Sequence, residues 1–185
     1  MRKELEIIAK EIEKCEECKK NKIGLPVPGE GNENAKIFFI GEAPGIEESR
    51  TGKPFVGRAG KFLDKLLFLA KLKREEIFIT SPIKYYPGKR KIQAKEILHG
   101  RTHLLKQIEI INPKIIVALG NVALKALYPD KDLRISKVRG KILKWNNKIV
   151  FPTYHPAAAM RFPKIRELAE KDFRKLSKLL KNLSS

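Results

Sequence analysis

Two stretches of this chain place chemically able side chains in turns that would hold them still. In the first, the apolar run Lys36-Ile37-Phe38-Phe39-Ile40 leads into Gly41-Glu42-Ala43-Pro44-Gly45, and ten residues later comes Phe55-Val56-Gly57-Arg58-Ala59-Gly60. The run reads as a short buried strand, and Phe62, Leu63, Leu66, Leu67 and Ala70 follow at helical spacing. Glu42 therefore stands at a strand end. Gly41, Pro44 and Gly45 make a tight turn there, and Gly57 and Gly60 permit close backbone approach to a ligand. In the second stretch, Lys148-Ile149-Val150-Phe151-Pro152 ends another strand and runs into Thr153-Tyr154-His155-Pro156-Ala157-Ala158-Ala159-Met160-Arg161, which sets an imidazole at a strand end. Open parallel sheets bind ligands outside the carboxyl ends of their strands. A carboxylate and an imidazole brought together there suit hydrolytic chemistry.

The elements that must position these groups are legible as an alternation. Besides the two strands named, Ile77 to Ser81 and Ile115 to Leu119 read as short apolar strands ending in turn or helix signals. Helices fit around them: Arg2 to Lys14, Arg58 to Lys71, Ala94 to Ile110, Asn121 to Leu127 and Lys164 to Asn182, with Lys178 to Ser185 as a candidate tail. Residues Asn21 to Asn34, rich in Pro and Gly, read as a loop. The expected fold is a three-layer α/β/α sandwich around a central four-stranded, mostly parallel sheet, in one domain spanning residues 1–185. Right-handed crossovers bring the loops after all four strands to one edge.

Bulk composition narrows the partner. The formal charge of +19, from 40 basic against 21 acidic residues, exceeds what solubility needs and points to a polyanion, nucleic acid first. A thermophile surface rich in Lys and Glu explains part of it, but such a surface balances its signs better. No apolar run approaches a membrane span, and Met1-Arg2-Lys3-Glu4 is too charged for a leader, so a cytoplasmic chain without a membrane partner is expected. Only two cysteines, Cys15 and Cys18, rule out a disulfide scaffold.

Together the two long motifs, in this order and spacing, resemble the uracil-DNA glycosylase superfamily, specifically its family-four members of archaea and thermophilic bacteria. The likeness runs from Cys15-Glu16-Glu17-Cys18 through Gly-Glu-Ala-Pro-Gly to His-Pro-Ala-Ala-Ala. It implies a monofunctional DNA glycosylase of base excision repair, acting as a monomer on DNA that carries uracil or another deaminated base. Such an enzyme takes the nucleotide out of the stack and cleaves its N-glycosidic bond through a cationic sugar and an anionic base. The resemblance then assigns roles. Glu42 stabilises the sugar cation or positions water, and His155 donates to the base carbonyl. Phe55 stacks on the base, while Gly41, Ala43 and Ser81 complete the base pocket. Met160 and Arg161 fall where an apolar side chain enters the duplex, and Arg58, Lys84, Lys89, Arg90, Lys91 and Arg161 are phosphate contacts. Glu47 and Glu48 read as helix-start or loop charges without a catalytic role. An alternative is a superfamily member that binds damaged or single-stranded DNA with catalysis weakened.

The likeness breaks in two places. Family members carry an Asn where Phe78-Ile79-Thr80-Ser81-Pro82 puts Ser81, and a hydroxyl makes at most one of the two contacts that amide makes to uracil. Hypoxanthine thereby becomes a further expected substrate. The family also holds a 4Fe-4S cluster on four Cys. Cys15 and Cys18 match the first two, whereas Tyr85 and Gly100 stand at the other two places, so an intact cluster is not expected. His99 and His103, at i and i+4 on one helix face, complete a Cys2His2 set suited to zinc. Two readings stay open: zinc in place of the cluster, or two reduced thiols and two surface His with no metal. No organic cofactor is expected.

Overall fold

The computed structural model describes residues 3–184. Helix α1 (Lys3–Lys14) buries Leu5, Ile8 and Ile12, spaced along one face, and a single turn α2 (Glu16–Lys19) follows directly. The Arg2 start expected for this helix lies outside the described residues. Then come β1 (Glu30–Gly31), β2 (Ile37–Ile40), α3 (Ile46–Thr51), α4 (Arg58–Leu69) and β3 (Ile77–Thr80). The second half runs α5 (Ala94–Ile111), β4 (Ile115–Leu119), α6 (Asn121–Leu127), α7 (Ile135–Val138), β5 (Leu143–Trp145), β6 (Lys148–Thr153), α8 (Pro156–Arg161) and α9 (Pro163–Ser184).

The sheet has six strands in the order β1-β3-β2-β4-β6-β5, of which the four central ones are parallel. These are the four read from the sequence. The expected count of four is corrected by two short antiparallel strands, β1 and β5, that close the edges. Neither has a long apolar run. β5 joins β6 through Asn146 and Asn147, whose φ values of 44° and 60° are those of a type I′ hairpin turn. The expected tail is corrected as well: up to Ser184 it continues α9, with Leu179 and Leu180 packed on the core, and Ser185 lies outside the described residues.

Period-two alternation sorts the strands into two cores. Phe38, Ile40, Phe78, Ile116, Ala118 and Val150 face α1, α5 and α6, with Phe38 stacked on Phe78 at 5.3 Å between ring centroids. Ile37, Phe39, Ile77, Ile79, Val117 and Phe151 face α4, α8 and α9. Each large apolar side chain fully removed from water contributes about 1.5–3 kcal/mol. With both faces covered, the sheet offers ligands only its edges, and every loop after a parallel strand opens at the same one.

A buried ion pair fixes α9 against the sheet. Asp172, 1% exposed, accepts from Arg139 Nε at 2.9 Å, from an Arg139 terminal nitrogen and from Thr153 Oγ1 at 2.8 Å. Removing one partner of such a pair leaves an uncompensated buried charge. Asp172→Ala should lower stability by about 3–5 kcal/mol in urea unfolding. A loss below about 1 kcal/mol would mean that the pair behaves like a screened surface bridge.

Candidate active site at the strand ends

Two turns that the sequence separates are joined by one carboxylate. Gly45 caps the start of α3, and Glu48, three residues on, turns back to accept the Gly45 N–H at 3.0 Å. Its other oxygen accepts the Gly57 N–H, at the start of α4, at 2.8 Å. A Cβ at Gly45 would stand 2.7 Å from that carboxylate, so a larger residue there would push the Glu48 side chain aside. The reading of Glu48 as a plain helix-start charge is corrected here, since it is buried and holds both turns. The Gly-x-x-Glu spacing was the signal for it.

Phe55 adopts φ 53°, a left-handed conformation rare outside glycine. Arg74 holds it by donating to the carbonyls of Phe55 at 2.6 Å and Pro54 at 3.3 Å. A Cβ at Gly60 would come 1.7 Å from the Phe55 carbonyl, and one at Gly41 would come 2.7 Å from the ring. The close approach expected at Gly60 for a ligand is thus used within the protein, Gly57 lines the cleft, and Gly41 supports the ring. The Phe55 ring tilts toward His155, with centroids 5.6 Å apart.

His155 is the residue before α8, extended as expected ahead of Pro156. Its Nδ1 accepts the Ala157 N–H at 3.2 Å, so the neutral ring carries its proton on Nε2. That nitrogen is buried and has no hydrogen-bond partner among the described residues. Burial lowers the pKa to about 4, against an opposing pull from Glu48, and the ring is neutral at pH 7. The result is a fixed N–H donor with nothing yet to bond.

A cleft of about 840 Å³ collects Glu42, Ala43, Phe55, Arg58, Ser81, His155 and Arg161, together with Glu48, Tyr86, Arg90, Lys91 and Phe162. The Glu42 carboxylate is raised by burial, and no hydrogen bond or ion pair to it occurs among the described residues. The backbone N–H groups of the two turns go to Glu48 instead. Ser81 Oγ donates inward to the Ile83 carbonyl at 2.7 Å, which leaves it only acceptor capacity toward the cleft. Met160 is half-buried and off the cleft wall, whereas Phe162 is 50% exposed and on it. Lys84 is corrected outright as a phosphate contact. It is 1% exposed and donates to Thr80 Oγ1 at 2.7 Å, Gln107 Oε1 at 2.9 Å and the Pro28 carbonyl at 3.2 Å. Burial lowers its pKa to about 7. Arg90 is committed to Glu96 through two bonds of 2.8 and 2.6 Å, and Lys22 reaches the same carboxylate at 3.1 Å.

The Cys and His residues meet elsewhere, between α2 and α5. One ligand atom from each of Cys15, Cys18, His99 and His103 lies within 4.8 Å of the others, a group able to bind a metal. The two places that resemblance gives to further cysteines offer no thiol. Tyr85 is buried, with its hydroxyl 3.4 Å from the Ile12 carbonyl and 3.3 Å from that of Glu13. A Cβ at Gly100 would stand 1.9 Å from the Pro82 carbonyl, so no side chain fits there. These residues do not fit a four-iron cluster held by four thiolates.

An acid, an aromatic ring and a neutral imidazole around one cleft define an α/β protein whose site is assembled from loops at the carboxyl edge of its sheet. The uracil DNA glycosylase superfamily profile matches residues 28–183, and the chain belongs to that superfamily. It is 46% identical to the type-4 uracil-DNA glycosylase of Saccharolobus solfataricus, covering 95% of this chain and 86% of the relative. Identity is 40% both to the type-4 enzyme of Archaeoglobus fulgidus, over 95% and 92%, and to that of Thermotoga maritima, over 96% and 95%.

The depressed His155 pKa has a stability consequence of definite sign. Between about 4 and 6.5 the unfolded chain binds the proton that the folded ring refuses, so stability rises with pH through that window. The melting temperature should fall as pH drops from 6.5 to 4, and His155→Gln should flatten that fall in a thermal scan. An equal slope in the variant would remove His155 as its source.

Proposed function

We propose that this chain is a monomeric, single-domain, cytoplasmic DNA glycosylase that hydrolyses the N-glycosidic bond of uracil in DNA, the opening step of base excision repair. One observation carries the reading: a buried, unpartnered Nε2–H of His155 in the wall of the cleft that also holds Glu42 and the Phe55 ring. The relatives named above support the substrate.

An extruded uracil stacks on Phe55, and the His155 N–H meets the carbonyl oxygen on which negative charge grows as the bond to the sugar breaks. A donor already fixed by the Ala157 N–H needs no reorganisation, and a neutral one keeps its proton. Glu42 faces the sugar cation, where its attraction strengthens as the closing duplex dries the cleft. Water held by that carboxylate adds its hydroxide to C1′ and gives its proton to the departing base, leaving an abasic site and free uracil. Ser81 Oγ, free only to accept, takes the N3–H of uracil and meets a lone pair in cytosine. One such contact discriminates less than an amide, so hypoxanthine, which also presents an N–H at its pairing edge, is a further substrate.

Arg58, Lys89, Lys91 and Arg161 are exposed around this edge and are assigned to phosphates. Phe162 is better placed than Met160 to enter the duplex. Lys84, although depressed to about 7, is outside the cleft wall, and attack by water needs no amine nucleophile, so an abasic site is the product and no strand is nicked. The reaction uses no organic cofactor. The Cys15–Cys18–His99–His103 group is assigned to structure, as a position for zinc.

The test is release of base from labelled duplexes containing uracil, hypoxanthine or xanthine. His155→Ala should lower kcat by about 10²–10³-fold, the worth of one fixed donor to a developing anion, and Glu42→Gln should lower it comparably. Activity untouched by both changes rejects the roles. Tight, salt-sensitive binding without release of any base would assign the chain to recognition alone.

A further inference from the structure

The group between α2 and α5 is built for one ion. Cys15 caps α2 and Cys18 lies within it, 4% exposed, while His99 and His103 stand one turn apart on α5. Tetrahedral zinc with Zn–S of about 2.3 Å and Zn–N of about 2.0–2.1 Å sets its donors about 3.3–3.8 Å apart. Cys15 Sγ and His99 Nε2 are already at 3.1 Å, and all four donors fall within 4.8 Å. Side-chain rotation closes that gap. A four-iron cube, which spreads its ligands over outer corners, does not.

A second observation points to a missing bond. His103 is 8% exposed, and both its ring nitrogens are buried without a hydrogen-bond partner among the described residues, a costly state for an imidazole. Its Nδ1 lies 3.9 Å from a Glu11 carboxylate oxygen that also accepts from Lys106 Nζ at 2.6 Å, which leaves Nε2 as the nitrogen for an ion. Metal-bound imidazoles characteristically turn their other N–H to a carboxylate, and Glu11 is near enough for a small shift to make that bond.

We infer that Cys15, Cys18, His99 and His103 bind a single tetrahedral zinc ion, with Glu11 orienting His103, and that this ion fastens the N-terminal segment beneath the rim of the cleft. Binding displaces the protons of the two thiols, so two protons leave per zinc bound. The segment after α2 lies along residues 82–92: Ile23 bridges Tyr86, the Val27 N–H donates to the Lys84 carbonyl at 2.7 Å, and Lys22 reaches Glu96 beside Arg90. Tyr86, Arg90 and Lys91 belong to the cleft wall. The ion is therefore a positioning element for substrate binding. Its presence is independent of the glycosylase reading, on which only the effect on KM rests.

The experiment uses the full chain purified from medium containing both zinc and iron. Elemental analysis should find about one zinc per chain with neither iron nor acid-labile sulfide. Metal-free protein titrated with Co²⁺ should show the visible bands of a tetrahedral site with thiolate ligands. In competition with a chelator, Glu11→Gln should weaken zinc about 10–100-fold, and His103→Ala should weaken it further. Zinc should raise the melting temperature and lower KM for a uracil duplex, with kcat unchanged. Stoichiometric iron with sulfide, or no uptake of Zn²⁺ or Co²⁺ against the chelator, overturns the site, and this titration needs no variant to fold. Zinc uptake with unchanged KM overturns the positioning role alone. An inactive protein that takes up zinc leaves the site standing and sinks the glycosylase reading instead.

Discussion

The cleft depends on the burial of one carboxylate. Glu48 is 8% exposed and bonds the Gly45 and Gly57 N–H groups, each the first donor of a helix that would otherwise lack a partner. Hydrogen bonds to a charged acceptor contribute about 1.5–3 kcal/mol each, enough to offset the desolvation of a carboxylate at two helix starts. Because the two bonds go to different turns, the loop bearing Glu42 cannot move without the loop bearing Phe55. The strained φ of Phe55 is tolerable on the same account: Arg74, Gly60 and Glu48 over-determine the backbone on both sides of it.

What could be read from the chain follows where local pattern and final environment agree. The four central strands are apolar on both faces, so uninterrupted runs announced them, and α4 carries its apolar spacing openly. The edge strands were hidden because pairing on one side needs neither length nor hydrophobicity, although Asn146-Asn147 was a readable hairpin turn. Burial of charge was the harder problem. Lys84 looked like one more member of a basic surface. Its position inside Ser81-Pro82-Ile83-Lys84-Tyr85, a stretch with no other charge, was the contrary sign, and its acceptors Thr80, Gln107 and Pro28 are scattered along the sequence. The Cys–His group was legible as a ligand set, because Cys-x-x-Cys and His-x-x-x-His each impose local geometry. Their meeting is a tertiary fact supplied by the packing of α1 and α2 against α5.

The cleft wall carries charge of both signs. Arg58, Lys91 and Arg161 are exposed on it, Glu42 and Glu47 are exposed as well, and Glu48 is buried. Phosphates are attracted to the basic groups and repelled by the acids. A nucleotide therefore lowers its energy by setting its phosphates against the basic groups and its sugar beside the carboxylates, an arrangement compatible with base extrusion.

Among the three acids, geometry selects the one left for a cation. Glu47 pairs with Arg50 at 3.1 Å on the exposed face of α3. Glu48 accepts two backbone N–H groups, and recruiting it would orphan both donors at about 1–3 kcal/mol each. Glu42 has no partner to lose among the described residues, and burial has already raised its pKa. A carboxylate made uncomfortable by desolvation gains most when positive charge appears beside it, and that charge appears only as the glycosidic bond opens. The preference for Glu42 thus rests less on its place in a motif than on the fact that Glu48 has taken the local hydrogen bonds.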